Sequence, residues 1–133
     1  MFMSSNTLIY DRKLLCGHWY REDIDENGYK IVEYSQLSAD GSFEFSFVSL
    51  DEQGDTAEQI IEFGDWGLVA DMHFTLTKSE MIDEEHYAAD LNDPDNYHAY
   101  RVLILDHHTF QYQHILTGEI YTLNKIVDVV GHC

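Results

Sequence analysis

Clusters of turn-forming residues recur roughly every ten to fifteen positions along this chain. They are Asp25-Glu26-Asn27-Gly28, Ser38-Ala39-Asp40-Gly41, Asp51-Glu52-Gln53-Gly54-Asp55, Gly64-Asp65-Trp66-Gly67, Asp106-His107-His108-Thr109 and Thr117-Gly118. The segments between them alternate with period two, as strands with two distinct faces do. Phe43, Phe45 and Phe47 alternate with Ser42, Glu44 and Ser46, and Phe110, Tyr112 and His114 alternate with Gln111 and Gln113. Leu68, Ala70, Met72, Phe74 and Leu76 alternate in the same way with Val69, Asp71, His73, Thr75 and Thr77. A chain punctuated like this is an antiparallel all-β protein.

Strands are expected near 18–24, 29–37, 42–50, 57–63, 67–79, 98–105, 109–116 and 119–127. Two stretches break the pattern. Residues 6–16 read as a short N-terminal helix capped by Asn6 or Ser5 and ending at Gly17. Residues 83–91 read as a turn or more of helix capped by Asp83 and running through Tyr87 and Leu91. Eight strands with short connections close most naturally into an up-and-down barrel, because closure removes the edges of an open sheet. The 133 residues, with a single proline at Pro94 and no linker-like segment, fit one domain spanning 1–133.

Charge narrows the partners. With 25 Asp+Glu against 7 Lys+Arg the formal charge is −18, and no basic patch offsets it. Phosphate backbones and anionic lipid surfaces would be repelled, so nucleic-acid and membrane roles are set aside. Cys16 and Cys133 form no disulfide framework or CxxC pair and read as free thiols. With no signal-like or membrane-length apolar run, a cytoplasmic protein is expected.

The run Leu14-Leu15-Cys16-Gly17-His18-Trp19-Tyr20 places a Gly-x-Trp at the head of the first strand and resembles the opening motif of lipocalin-like, or calycin, barrels. Asp95-Asn96-Tyr97 is similar to the family's Thr-Asp-Tyr turn without its Thr. Lys125 lies where the family sets an Arg against the opening Trp. The closing segments from Tyr100 to Thr122 resemble those of small bacterial lipocalin-like domains. The resemblance implies an eight-stranded barrel plugged by Trp19, with Gly17 at its entry, a Lys125–Trp19 cation–π contact, and an interior filled by side chains or holding one small ligand.

The chemistry-bearing residues are few. No nucleophile elbow, P-loop or dinucleotide fingerprint occurs, and no catalytic or cofactor-binding set is assigned. The eight histidines show no metal-ligand spacing; His107 and His108 diverge at a turn, and His73, His98 and His114 lie on separate strands. Asp23-Ile24-Asp25-Glu26-Asn27-Gly28 begins like a calcium loop, but position 12 falls on Tyr34, and an Asn-Gly hairpin accounts for it. The expected function is therefore binding of a small hydrophobic or amphiphilic molecule. The walls would be Phe45 and Phe47, Met72 and Phe74, and Phe110 and Tyr112, with His114 or Arg101 as polar anchor. An inward Arg101 beside Tyr112 would recruit a carboxylate, as in fatty-acid-binding barrels, though strand parity leaves its direction open. Two other readings stand beside this one: an acidic scaffold with a filled barrel that docks a basic protein or a second copy of itself, and a lipocalin-like isomerase or lyase using His114 or Tyr112 as acid and base.

Overall fold

The computed structural model describes residues 8–126. Nine antiparallel strands follow one short helix, α1 (Arg12–Leu15). They are β1 (Gly17–Ile24), β2 (Lys30–Leu37), β3 (Ser42–Leu50), β4 (Thr56–Val69), β5 (Met72–Ile82), β6 (Glu85–Ala88), β7 (Tyr97–Leu105), β8 (Thr109–His114) and β9 (Ile120–Lys125). Every strand but β6 lies between two neighbours, in the cyclic order β4-β3-β2-β1-β9-β8-β7-β5, and the β4–β5 pairing closes the circle. The result is an eight-stranded, closed, up-and-down barrel, and β6 is an extra strand carried outside it.

The turn chemistry builds the hairpins as the sequence implies. Asp25 Oδ1 accepts from the backbone N–H groups of Asn27 and Tyr29, at 2.8 and 2.9 Å, so the calcium-like segment is the β1–β2 turn. Asp51 Oδ1 does the same for Gln53 and Asp55 in the β3–β4 turn. The helix cap is Asp11, whose side chain accepts from Lys13 N at 2.9 Å; Ser5 and Asn6, and the expected strand end at 127, lie outside the described residues.

One end of the barrel is closed by apolar packing. Leu15, Trp19, Leu37, Phe43, Trp66, Leu105, Phe110 and Leu123 are all buried there. Trp19 Nε1 donates to the Leu15 carbonyl at 2.9 Å, which ties the plug to α1. Lys125 Nζ lies 4.5 Å from the Trp19 ring centroid, the contact implied by the lipocalin resemblance, and also donates to the Cys16 carbonyl. Gly17 makes this fit possible. Its φ is +125°, and a Cβ there would lie 2.6 Å from Lys125 Nζ.

Four expectations are corrected. Gly64-Asp65-Trp66-Gly67 is the middle of β4 and not a turn. Its glycines mark close approaches, Gly64 beneath the Leu76 carbonyl and the Phe43 ring and Gly67 beneath the Phe74 ring. The strand expected over 67–79 is therefore two, joined at Ala70-Asp71, where Ala70 takes φ +56° and Val69 pairs with Met72. Residues 83–91 form no helix. Asp83 and Glu84, at φ +47° and +75°, make a two-residue hairpin turn that sends β6 back along β5. β5 runs on as Ser79–Ile82 after its pairing with β7 ends at Leu76, and β6 satisfies that edge. Lastly, Cys16 is disulfide-bonded instead of a free thiol; such bonds are rare in a reducing cytosol. Cys133 lies outside the described residues. Among the described residues no helix is long and apolar enough to cross a membrane.

Candidate functional site

Away from the Trp19 plug the interior changes character. Ladder partners share a face, so the pairings Trp19–Ser35, Arg21–Glu33, Ser35–Phe45, Phe45–Glu62 and Glu33–Phe47 carry one inward face around β1 to β4. His73–Tyr100, Thr75–His98, Tyr100–His114 and Tyr112–Tyr121 carry it through β5 and β7 to β9. The half of the interior toward the β1–β2, β3–β4 and β8–β9 turns is thus lined by polar and aromatic side chains.

Its centre is an ion pair. Arg21 Nε sits 2.6 Å from Glu33 Oε1, with the Glu33 side chain 6% exposed, and Ser35 Oγ donates to the other Glu33 oxygen at 2.6 Å. Burial alone would lower the Arg21 pKa, but Glu33 more than offsets it and the guanidinium is held charged. Its carbon stands 5.1 Å from the Tyr121 ring. Tyr100, Tyr112 and Tyr121 form a connected aromatic wall, with ring centroids 4.8 and 5.5 Å apart in sequence. Burial, reinforced by the carboxylates of Glu33 and Glu62, pushes the Tyr100 phenol far above its ordinary range. Tyr112 is raised by burial and then by the Glu33 carboxylate, and Tyr121 to about 12 by burial and its bond to Glu119, so all three phenols are neutral. A second carboxylate, Glu62, accepts from Thr77 Oγ1 at 3.0 Å. Burial raises its pKa, and Glu80 and Glu33 add to the shift. No cation lies within ion-pair distance of it among the described residues.

The wall of the barrel is incomplete beside this cluster. Among the described residues β1 and β9 pair at Trp19–Lys125 and Tyr20–Asn124, and Ile126 N donates to the His18 carbonyl at 2.9 Å on the plug side of those pairs. Beyond those pairs a cleft of about 550 Å³ lies between the strands, lined by Arg21, Glu22, Asp23, Glu119, Tyr121 and Thr122. Arg21 and Tyr121 belong both to the cleft and to the interior cluster.

No family model and no curated protein matches the chain. Among solved structures, a lipocalin-like protein from Bacteroides uniformis superimposes with a TM-score of 0.54 at 16% identity, over 85% of this chain and 99% of that one. The barrel is lipocalin-like. At that identity the likeness speaks to fold, and any activity has to come from the site itself.

The lipocalin-like barrel places the expected site residues unequally. Phe45 shares the inward face with Phe43, the rings stacked at 4.1 Å, and Phe47 follows on the same face. Phe110 and Tyr112 are buried inside, and His114 is half-buried beside Tyr100. Met72 and Phe74 are on the other side of the wall. On β5 the inward residues are His73, Thr75 and Thr77, all buried, while Phe74 is 45% exposed and lies across Gly67. Arg101 also points out, 55% exposed and paired with Asp71 at 2.7 Å, so it cannot anchor an interior carboxylate. Arg21, Glu33, Glu62, Tyr100 and Tyr121 were not foreseen. The signal available for Arg21 was its two-residue spacing from Trp19, which puts both on one face.

Proposed function

We propose that this lipocalin-like barrel binds a small amphiphilic molecule whose polar end is a protonated amine or another organic cation. The observation that carries the reading is the cleft at the β1–β9 seam with the Arg21, Glu33 and Tyr121 cluster beneath it. Its volume lies within the range of small-molecule sites, and it joins aromatic surface to a few fixed polar groups. The charge balance selects the head group. Arg21 is already committed to Glu33, whereas among the described residues Glu62 has only a hydroxyl donor, and Glu22, Asp23 and Glu119 stand at the cleft. A ligand carboxylate would meet surplus negative charge, while an ammonium would complete Glu62 and find the faces of Tyr100 and Tyr121.

Native mass spectrometry and calorimetric titration with an alkylamine and a fatty acid of equal chain length test this. Binding of the amine in preference to the acid is expected, with Glu62→Gln weakening it by about ten- to a hundredfold, the worth of a charged hydrogen bond. Preference for the acid, or no bound mass with either, would overturn the proposal.

A further inference from the structure

At the mouth of the barrel two histidines form a hydrogen-bonded chain whose proton positions are forced. His98 Nδ1 and His114 Nε2 are 3.3 Å apart, with the rings at 72°. The other nitrogen of His114, Nδ1, accepts from the backbone N–H groups of Leu116 at 3.1 Å and Thr117 at 3.3 Å. A ring nitrogen that accepts carries no proton, so the His114 proton is on Nε2 and is donated to His98 Nδ1. The reverse arrangement would leave His114 with no proton at all. His98 then carries its own proton on Nε2, and the nearby Asp95 backbone and carboxylate partly offset the burial of its ring.

This chain runs from the β8–β9 turn, through both rings, to His98 at the start of β7. It exists only while both imidazoles are neutral. A proton added at His114 Nδ1 would face two backbone donors, and one added at His98 Nδ1 would face the His114 Nε2–H. The surroundings offer little to offset this. Asp95 is the acid on the lead-in turn, Tyr100 is a neutral phenol against both rings, and Thr75 of β5, the Cα partner of His98, is uncharged. Glu119 engages Tyr121, and Arg101, the cation sharing a surface cleft with His114, is held by Asp71. Burial first, and His114 second, hold the His98 pKa below the ordinary histidine value.

We propose that His98 and His114 are an acid-released latch, which fastens the β8–β9 turn to the entry of β7 at neutral pH and frees Leu116 and Thr117 when a proton is added at His114 Nδ1. The rest of the turn has other bonds, including Ile115 N to the Ala99 carbonyl at 3.1 Å and Gly118 N to the His114 carbonyl at 2.9 Å. Release is therefore local to Leu116 and Thr117. Control of ligand access by this latch rests on the carrier reading above; the latch itself does not.

Amide exchange by NMR at pH 7.5 and pH 5, corrected for intrinsic rates, tests it with no ligand present. Leu116 and Thr117 should lose at least about tenfold in protection at pH 5 while Phe110 and Leu123 keep theirs. In His114→Gln the pH dependence at those two amides should disappear. At neutral pH, ring ¹⁵N shifts should show His114 protonated at Nε2 alone. Unchanged protection at pH 5, a loss shared equally by the core amides, or a proton on His114 Nδ1 at pH 7.5 would each overturn the latch.

Discussion

Arg21 and Glu33 illustrate how little latitude single residues have in this interior. Replacing Arg21 with Met keeps the aliphatic length but leaves a carboxylate that is 6% exposed with Ser35 as its remaining side-chain donor among the described residues. Breaking a buried pair from one side costs about 3–5 kcal/mol. Urea denaturation of Arg21→Met should show a loss of that order, with the double variant Arg21→Met, Glu33→Gln recovering part of it. His73 makes a pH-dependent contribution. It is buried, it donates from Nδ1 to the Gly67 carbonyl at 3.2 Å, and burial lowers its pKa from 6.5 to about 4. The unfolded chain binds that proton first as pH falls, so the stability present above pH 6.5 is lost between pH 6.5 and about 4. The loss amounts to about 3 kcal/mol at ~1.4 kcal/mol per unit. A urea series from pH 7.5 to 4 should show it, and His73→Asn, which retains a donor for Gly67, should flatten the slope. The same residue explains why the β5 site residues were misassigned. Alternation correctly separated Met72 and Phe74 from His73, Thr75 and Thr77, but the apolar set was assigned to the inside. In a barrel whose interior is half polar that choice fails, and Phe74 spends its apolar surface covering Gly67 instead. Phe110 and Tyr112 were legible because they descend toward the apolar floor, where hydrophobic does mean inside.

At the level of elements, hairpins were readable wherever Asp, Asn and Gly supplied turn bonds, as at Asp25–Tyr29 and Asp51–Asp55. They were not where a turn used residues without that signature. Ala70, Asp83 and Glu84 adopt positive φ with no glycine, and Asp83 by itself reads as a helix cap. Conversely, Gly64 and Gly67 looked like a turn because glycine serves close packing as well as tight turns. The β5–β6 hairpin therefore carries correctable strain. Substituting Asn-Gly for Asp83-Glu84 should stabilise the protein by about 0.5–1 kcal/mol, since both positions require left-handed backbone. Thermal denaturation would register this as a rise of a few degrees. Gly17→Ala should act in the opposite direction, because it combines positive φ with a Cβ against Lys125.

For the molecule as a whole, a formal charge of −18 means that self-repulsion opposes the compact state. Raising NaCl from 10 mM to 0.5 M shortens the screening length from about 30 Å to a few ångströms and should raise the melting temperature. A decrease would mean that the exposed pairs Lys30–Glu22 and Lys78–Asp65 outweigh the repulsion. The seam described above has a consequence in time as well as in space. Every ladder but β1–β9 joins strands close along the chain, so most of the sheet can form by successive local hairpins. Among the described residues the seam has the shortest ladder of the barrel, and it brings together residues about a hundred positions apart at the largest loop-closure cost. The protein would therefore assemble as a curling ribbon whose last event is the meeting of its first and final strands, and that junction would be the first to part.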